Sequence, residues 1–253
     1  MGSSTVPIVL LHGFLVSSWA WRHNLYPLSG HHRVIAPCQK GFGWTDKRED
    51  PYTLSSLGNH IVACLDALGV EKAHVIGNSL GGAVGLYMAA NFPQRVDHLV
   101  LVNAAGIPFR RGVNLLTRTL SKWLAPAARG VGRDAIFRLL LRTYCYPRNF
   151  LDDRYMRGFM APLSRSGSYR AALRVMSNLN RGLREMYPQL SGIQHPTRII
   201  WGGRDRLVPL KAGEILAARL PQSELIVFHD SHHCPMEEEP ERFNECVLDF
   251  LPT

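Results

Sequence analysis

Residues 73–91 read AHVIGNSLGGAVGLYMAAN, and no other stretch restricts the fold as much. An apolar run of strand length, Ala73 to Ile76, leads almost directly into a helical stripe of Leu80, Ala83, Val84, Tyr87 and Met88. Only a pentapeptide, Gly77-Asn78-Ser79-Leu80-Gly81, effects the change. So short a turn from strand to helix is too tight for large neighbours, which accounts for glycines on either side of the serine. The bend lifts the Ser79 hydroxyl above the strand edge. It also leaves the Leu80 N–H at the positive end of the new helix, aimed at an incoming oxyanion. A serine that only caps a helix is the plainer alternative, and the strand–turn–helix context argues against it.

The same alternation recurs along the chain. Val6 to Leu11 is a continuous apolar run ending at His12-Gly13, as expected of a strand buried on both faces. Arg33 to Ala36 predicts a second strand. Leu54, Leu57, Ile61, Leu65 and Leu68 predict an amphipathic helix with a stop at Gly69. Val96 to Val102, Thr197 to Trp201 and Leu225 to Phe228 predict further strands, with helices over 211–220 and 240–251. Short links between alternating elements imply an α/β fold, a mostly parallel sheet covered by helices on both faces. Between Pro108 and about Pro188 the strand signals vanish. Stripes at Leu115-Leu116-Leu120-Leu124, Ile136-Phe137-Leu140 and Leu173-Met176-Leu179-Leu183 are helical instead. The expected organisation is a core of residues 1–105 and 191–253, with residues 106–190 as a helical lid beyond the carboxyl ends of the strands.

With 253 residues, 46% of them hydrophobic, the chain can build one sizeable core. No leader pattern and no apolar stretch near the roughly 20 residues needed to span a bilayer is present, so a soluble, cytoplasmic protein is expected. Five cysteines, at 38, 64, 145, 234 and 246, lack any CxxC spacing, which fits a reducing compartment. Scattered cysteines also argue against zinc, and His229, His232 and His233 have no ligand partner at a suitable sequence spacing, so no metal is expected. The formal charge of +9 is uneven: residues 106–190 hold 16 Arg or Lys against 4 Asp or Glu. Those arginines interleave with apolar stripes and accompany no nucleic-acid-binding pattern, so a solvated lid face is expected rather than a nucleic-acid site.

A serine hydroxyl is a poor nucleophile unless a base takes its proton. Candidate bases lie in Phe228-His229-Asp230-Ser231-His232-His233-Cys234-Pro235, and a candidate acid in Trp201-Gly202-Gly203-Arg204-Asp205. The order Ser79, Asp205, His233 is the nucleophile–acid–histidine order of one fold. With these residues the chain resembles the α/β-hydrolases, in particular the group of lidded serine esterases, haloperoxidase-like enzymes and meta-cleavage product hydrolases. The resemblance covers essentially the whole chain, the lid only in size and helicity. It implies a lid inserted after the sixth family strand and a Ser79–His233–Asp205 triad. Leu11-His12-Gly13-Phe14 resembles the family's HG motif, which assigns the second oxyanion-hole N–H to Phe14 beside that of Leu80. Gly13, Gly77, Asn78 and Gly81 support these motifs, and His12 shapes the oxyanion loop. His233 is preferred as base because the family's histidine precedes proline by two positions. His232 stands where glycine is common and is a candidate to line the site, as is Trp201.

Two departures bear on assembly and recognition. Cys38 occupies a position where the family usually has Asp, and it reads as a packed thiol. The chain starts almost directly at Val6, so the leading antiparallel hairpin is not evident and a barer sheet edge is expected, in a monomer or a homodimer. The resemblance implies acyl transfer on a small-molecule ester or related carbonyl substrate, with no cofactor. Asn78 is common in carbon–carbon bond hydrolases, but those often carry an aromatic residue where Cys234 stands. Ester cleavage is therefore the first expectation. Carbon–carbon, lactone or thioester cleavage are alternatives, as is a non-catalytic receptor for a small ligand.

Overall fold

A computed structural model describes residues 6–108, 133–147 and 150–252. Six parallel strands form one sheet: β1 (Ile8–Leu11), β2 (Val34–Ile35), β3 (Ala73–Asn78), β4 (Val96–Val102), β5 (Thr197–Gly202) and β6 (Ser223–Phe228). Their order is β2-β1-β3-β4-β5-β6. Every residue of β1, β3 and β5 is buried, as continuous apolar runs require inside a parallel sheet. The edge strand β2 is only two residues long and half-buried.

The helices are α1 (Leu25–Ser29), α2 (Leu54–Ala67), α3 (Leu80–Asn91), α4 (Arg133–Tyr144), α5 (Asp153–Leu163), α6 (Ser168–Met186), α7 (Leu210–Ala217), α8 (Pro235–Glu238) and α9 (Pro240–Leu248). Thr53 starts α2 by accepting a hydrogen bond from the Ser56 N–H, and Leu57, Ile61 and Leu65 form its buried stripe. Gly69, with φ of 65°, turns the chain out of α2 in the left-handed region. Nearly every residue of α3 is buried, because this helix packs against β1, β3 and β4 on one side and α2 on another. α7 rests on β5 and β6.

Between β4 and β5 the regular structure among the described residues is helical, chiefly α4, α5 and α6. The stripe expected at Leu115–Leu124 lies outside the described residues. α6 packs on α2 and α3. Its Arg174 donates to the Asp50 carbonyl at 2.9 Å, while Asn178 donates to that of Pro51 at 2.6 Å. Among the described residues, no helix is long and apolar enough to cross a membrane. All five cysteines are free.

Strand order reverses between β1 and β3: the chain passes from β1 outward to β2, then returns to place β3 on the other side. Open parallel sheets bind ligands in the crevice outside the carboxyl ends at such a reversal. Gly13 follows β1 and Ser79 follows β3, so the two motifs with the clearest chemistry meet there.

Candidate active site

Ser79 stands at the tip of β3 with φ of 52° and ψ of −113°. A non-glycine residue pays for that conformation in strain, which persists only where its surroundings enforce it. Here the serine N–H donates to the Val102 carbonyl at 2.9 Å, and its carbonyl accepts from Ala105 at 2.9 Å and Gly82 at 3.0 Å. The glycines have a steric reason. A Cβ on Gly77 would run into the Gly81 backbone, and one on Gly81 into the Leu11 carbonyl. Any side chain at either position would push the elbow out of the sheet.

Asp205 follows β5, and its carboxylate is fully buried. Four donors converge on it. Oδ1 accepts from the Leu207 N–H at 2.7 Å and the Val208 N–H at 3.0 Å. Oδ2 accepts from His233 Nδ1 at 2.7 Å and Asn103 Nδ2 at 2.6 Å. An acceptor-only carboxylate suits that set, and a donating Nδ1 leaves Nε2 of His233 as the atom that can take a proton. Asn103, at φ of 44°, also accepts from the Gly202 N–H at 3.1 Å and donates to the His232 carbonyl at 3.2 Å. The sequence reading did not single out Asn103; its only local signal is its place immediately after β4.

The histidine loop is tied to the elbow through Asn78. Its Nδ2 donates to the His233 carbonyl at 3.1 Å and to the Val102 carbonyl at 3.2 Å. The other face of the loop meets the inserted helices, where the His233 N–H donates to the Cys145 carbonyl at 3.1 Å. Next to it, Glu237 is buried in contact with Arg22 and accepts from the Tyr146 hydroxyl at 2.5 Å; the Tyr155 hydroxyl donates to that of Tyr146 at 2.6 Å. Burial pushes the Glu237 carboxyl above its ordinary range, with Arg22 and Tyr146 pulling against it. The same burial holds both tyrosine hydroxyls protonated.

The other sequence candidates fall in distinct places. Gly13 passes directly over the elbow: a Cβ there would stand 3.5 Å from Ser79 Cβ. His12 donates from Nδ1 to the Gly13 carbonyl at 2.8 Å and accepts at Nε2 from the Gln39 N–H at 2.9 Å. Both nitrogens are thereby committed to shaping the loop that carries the Phe14 N–H. Leu80 opens α3, whose first N–H groups have no partner within the helix. His232 is half-buried and turned to Glu238, with Nδ1 3.0 Å from Oε2 and its N–H bonded to the same carboxylate. Trp201 is fully buried in β5, its indole N–H donating to the Val208 carbonyl at 3.0 Å, so it supports the Asp205 loop from the core.

The sequence model of the alpha/beta hydrolase fold matches residues 6–240. A 2-hydroxymuconate semialdehyde hydrolase of a Pseudomonas strain is 31% identical, covering 97% of this chain and 86% of its own. A 2-hydroxy-6-oxo-2,4-heptadienoate hydrolase of Pseudomonas putida is 32% identical over 97% of this chain and 88% of its own. Among solved structures, a meta-cleavage product hydrolase from Pseudomonas fluorescens superposes with a TM-score of 0.81 at 30% identity, covering 98% of this chain and 91% of that one.

Proposed function

The chain belongs to the α/β-hydrolase fold family, and from that membership we propose a serine hydrolase that works by acyl transfer on carboxylic esters of small to medium, largely apolar substrates. One observation carries this reading. A buried His233–Asp205 pair, 2.7 Å apart, is tied through Asn78 to a strained serine at the strand-order reversal. In the proposed cycle His233 Nε2 takes the Ser79 proton as Oγ attacks the carbonyl carbon. The Phe14 and Leu80 N–H groups receive the oxyanion. Collapse of the tetrahedral intermediate breaks the ester C–O bond, and His233 returns its proton to the leaving alcohol. Water, deprotonated by the same imidazole, then releases the acid and restores Ser79.

Residues 106–190 act in this reading as a lid. Support comes from the Cys145 carbonyl on the His233 N–H and from the Tyr146–Glu237 contact, which anchor the inserted helices beside the catalytic loop. Phe137, Met156, Phe159 and Met160 are buried apolar residues of α4 and α5, and a lid of that composition suits an apolar acyl group.

The similar proteins named for dienoate and semialdehyde substrates favour a second reading, hydrolysis of a carbon–carbon bond in a vinylogous diketone. The ester reading is kept first because Asn78 Nδ2 is spent on two backbone carbonyls, so that residue has a structural role of its own, and because Cys234 stands where carbon–carbon hydrolases often carry an aromatic residue. The deciding measurement is kcat/KM for a panel of p-nitrophenyl esters against a ring-fission diketone. Each buried methylene should add about 0.8 kcal/mol, roughly fourfold, until the pocket is filled. A diketone preferred by a hundredfold or more would replace the ester reading. A fluorophosphonate adduct mapped to a residue other than Ser79 would remove both.

A further inference from the structure

At the opposite end of the sheet, where the strands begin, two histidines and an aspartate converge. His74 is the second residue of β3, and Asp97 and His98 are the second and third of β4. Neighbouring residues of a regular strand point to opposite faces, so Asp97 and His98 would ordinarily diverge. The pairing is irregular here. Ala73 pairs with Val96 but Val75 with Leu99, so one residue of β3, His74, faces two of β4. That bulge turns both side chains toward the same imidazole. One ligand atom from each of the three lies within 4.8 Å of the others.

The inner member of the group is short of partners. His74 is fully buried, and neither ring nitrogen has a hydrogen-bond partner among the described residues. Its Nδ1 stands 3.4 Å from Asp97 Oδ2, which also lies 2.7 Å from His98 Nδ1. Asp97 Oδ1 is held separately by Lys72 Nζ at 2.6 Å, leaving Oδ2 for the two histidines. His74 also meets the His32 ring edge-on at 5.4 Å between centroids, and His32 Nε2 is a further buried nitrogen without a hydrogen-bond partner among the described residues.

We infer that His74, Asp97 and His98 form a binding site for a divalent transition metal, with zinc the best match. Two imidazoles and one carboxylate are a suitable donor set. Ligand atoms about 2.0–2.1 Å from a tetrahedral zinc stand roughly 3.4 Å apart, so the spacings present need only modest side-chain rotation. A bound ion would satisfy at least one buried nitrogen of His74. Lys72 supplies the outer contact that orients the carboxylate, and Phe250 packs edge-on against the His98 ring at 5.3 Å. A cleft of about 550 Å³, lined by Lys72, Gln94, Val96, Asp97, His195 and Pro196, borders the cluster at Asp97, whose side chain is partly exposed. This site shares no residue with the Ser79 crevice. It would act as a clasp between β3 and β4, distinct from the catalytic chemistry.

The test uses the full chain, stripped with a chelator and desalted. Zinc is titrated against a chromogenic competitor, and Co²⁺ serves as a spectroscopic probe. One equivalent should bind with micromolar or tighter affinity, and bound Co²⁺ should show the intense visible bands of four-coordinate geometry. His98→Gln and Asp97→Asn should each weaken binding by about tenfold or more, since losing even an outer contact costs that much. His98 is partly exposed, so its variant should keep the wild-type circular dichroism and allow a clean comparison. Absence of a bound equivalent, or binding that survives both substitutions unchanged, would overturn the proposal.

Discussion

Two histidine–carboxylate groups occupy opposite ends of the same sheet, and they are finished to different degrees. At the carboxyl end, Asp205 is bonded by four donors, and the His233 backbone is held by Asn78 and Cys145. At the amino end, His74 is just as buried, yet its nitrogens have no hydrogen-bond partner among the described residues. Leaving a polar group buried and unpaired typically costs about 1–3 kcal/mol. A site preorganised by the protein itself is what acyl transfer needs, because its donors must not rearrange as charge develops. A site with donors to spare is what an ion needs.

Substitutions at the carboxyl end should have the largest effects on turnover. Ser79→Ala should remove turnover of a p-nitrophenyl ester by on the order of 10⁵-fold or more, leaving what binding and the oxyanion hole provide. Asp205→Asn should cost about 10⁴-fold in kcat, because an amide in that position favours the wrong imidazole tautomer. Both are read from steady-state rates on protein whose folding has been checked by thermal unfolding. Asn103→Ala should cost roughly ten- to hundredfold, as Asp205 and the His232 carbonyl lose their shared anchor. Equal rates for this variant and the wild type would show that the backbone donors at 207 and 208 suffice.

Smaller effects sharpen the contrast. His232→Ala should lower kcat by no more than a few-fold, since His232 is engaged with Glu238 rather than Asp205; a collapse of activity would move the base by one residue. His98→Gln should leave kcat/KM for the ester unchanged within error, because its cluster lies at the far end of β3 and β4. Loss of turnover there would mean that the two ends of the sheet are coupled.

Much of the core was legible locally. The runs expected as strands at Val6–Leu11, Ala73–Ile76 and Thr197–Trp201 contain β1, most of β3 and most of β5, because a largely apolar run suits burial on both faces. Helix α5 was not singled out, although Tyr155, Met156, Phe159, Met160 and Leu163 recur at helical spacing. Gly158 and Pro162 are residue types that ordinarily weaken or interrupt a helix. In the structure Asp152 caps the helix, and the missing side chain of Gly158 makes room for the Trp19 indole. That compensation comes from a residue 139 positions away by sequence number (158 − 19).

The sequence alone determined the strand–helix alternation, the glycine-flanked serine, and the order of acid and histidine behind it. The first two are short-range patterns, set by side-chain size, backbone freedom or a period of two to four residues, and the third is plain order along the chain. Tertiary structure alone decided what those residues meet. It gave Asn103 to Asp205, turned Asn78 into a tether, buried Trp201 beneath the acid loop and gave His232 to Glu238. It also brought Asp97 and His98 to one side of His74. No local pattern encodes these contacts, because strand register and a single-residue bulge set them, and both are fixed only when distant segments pair.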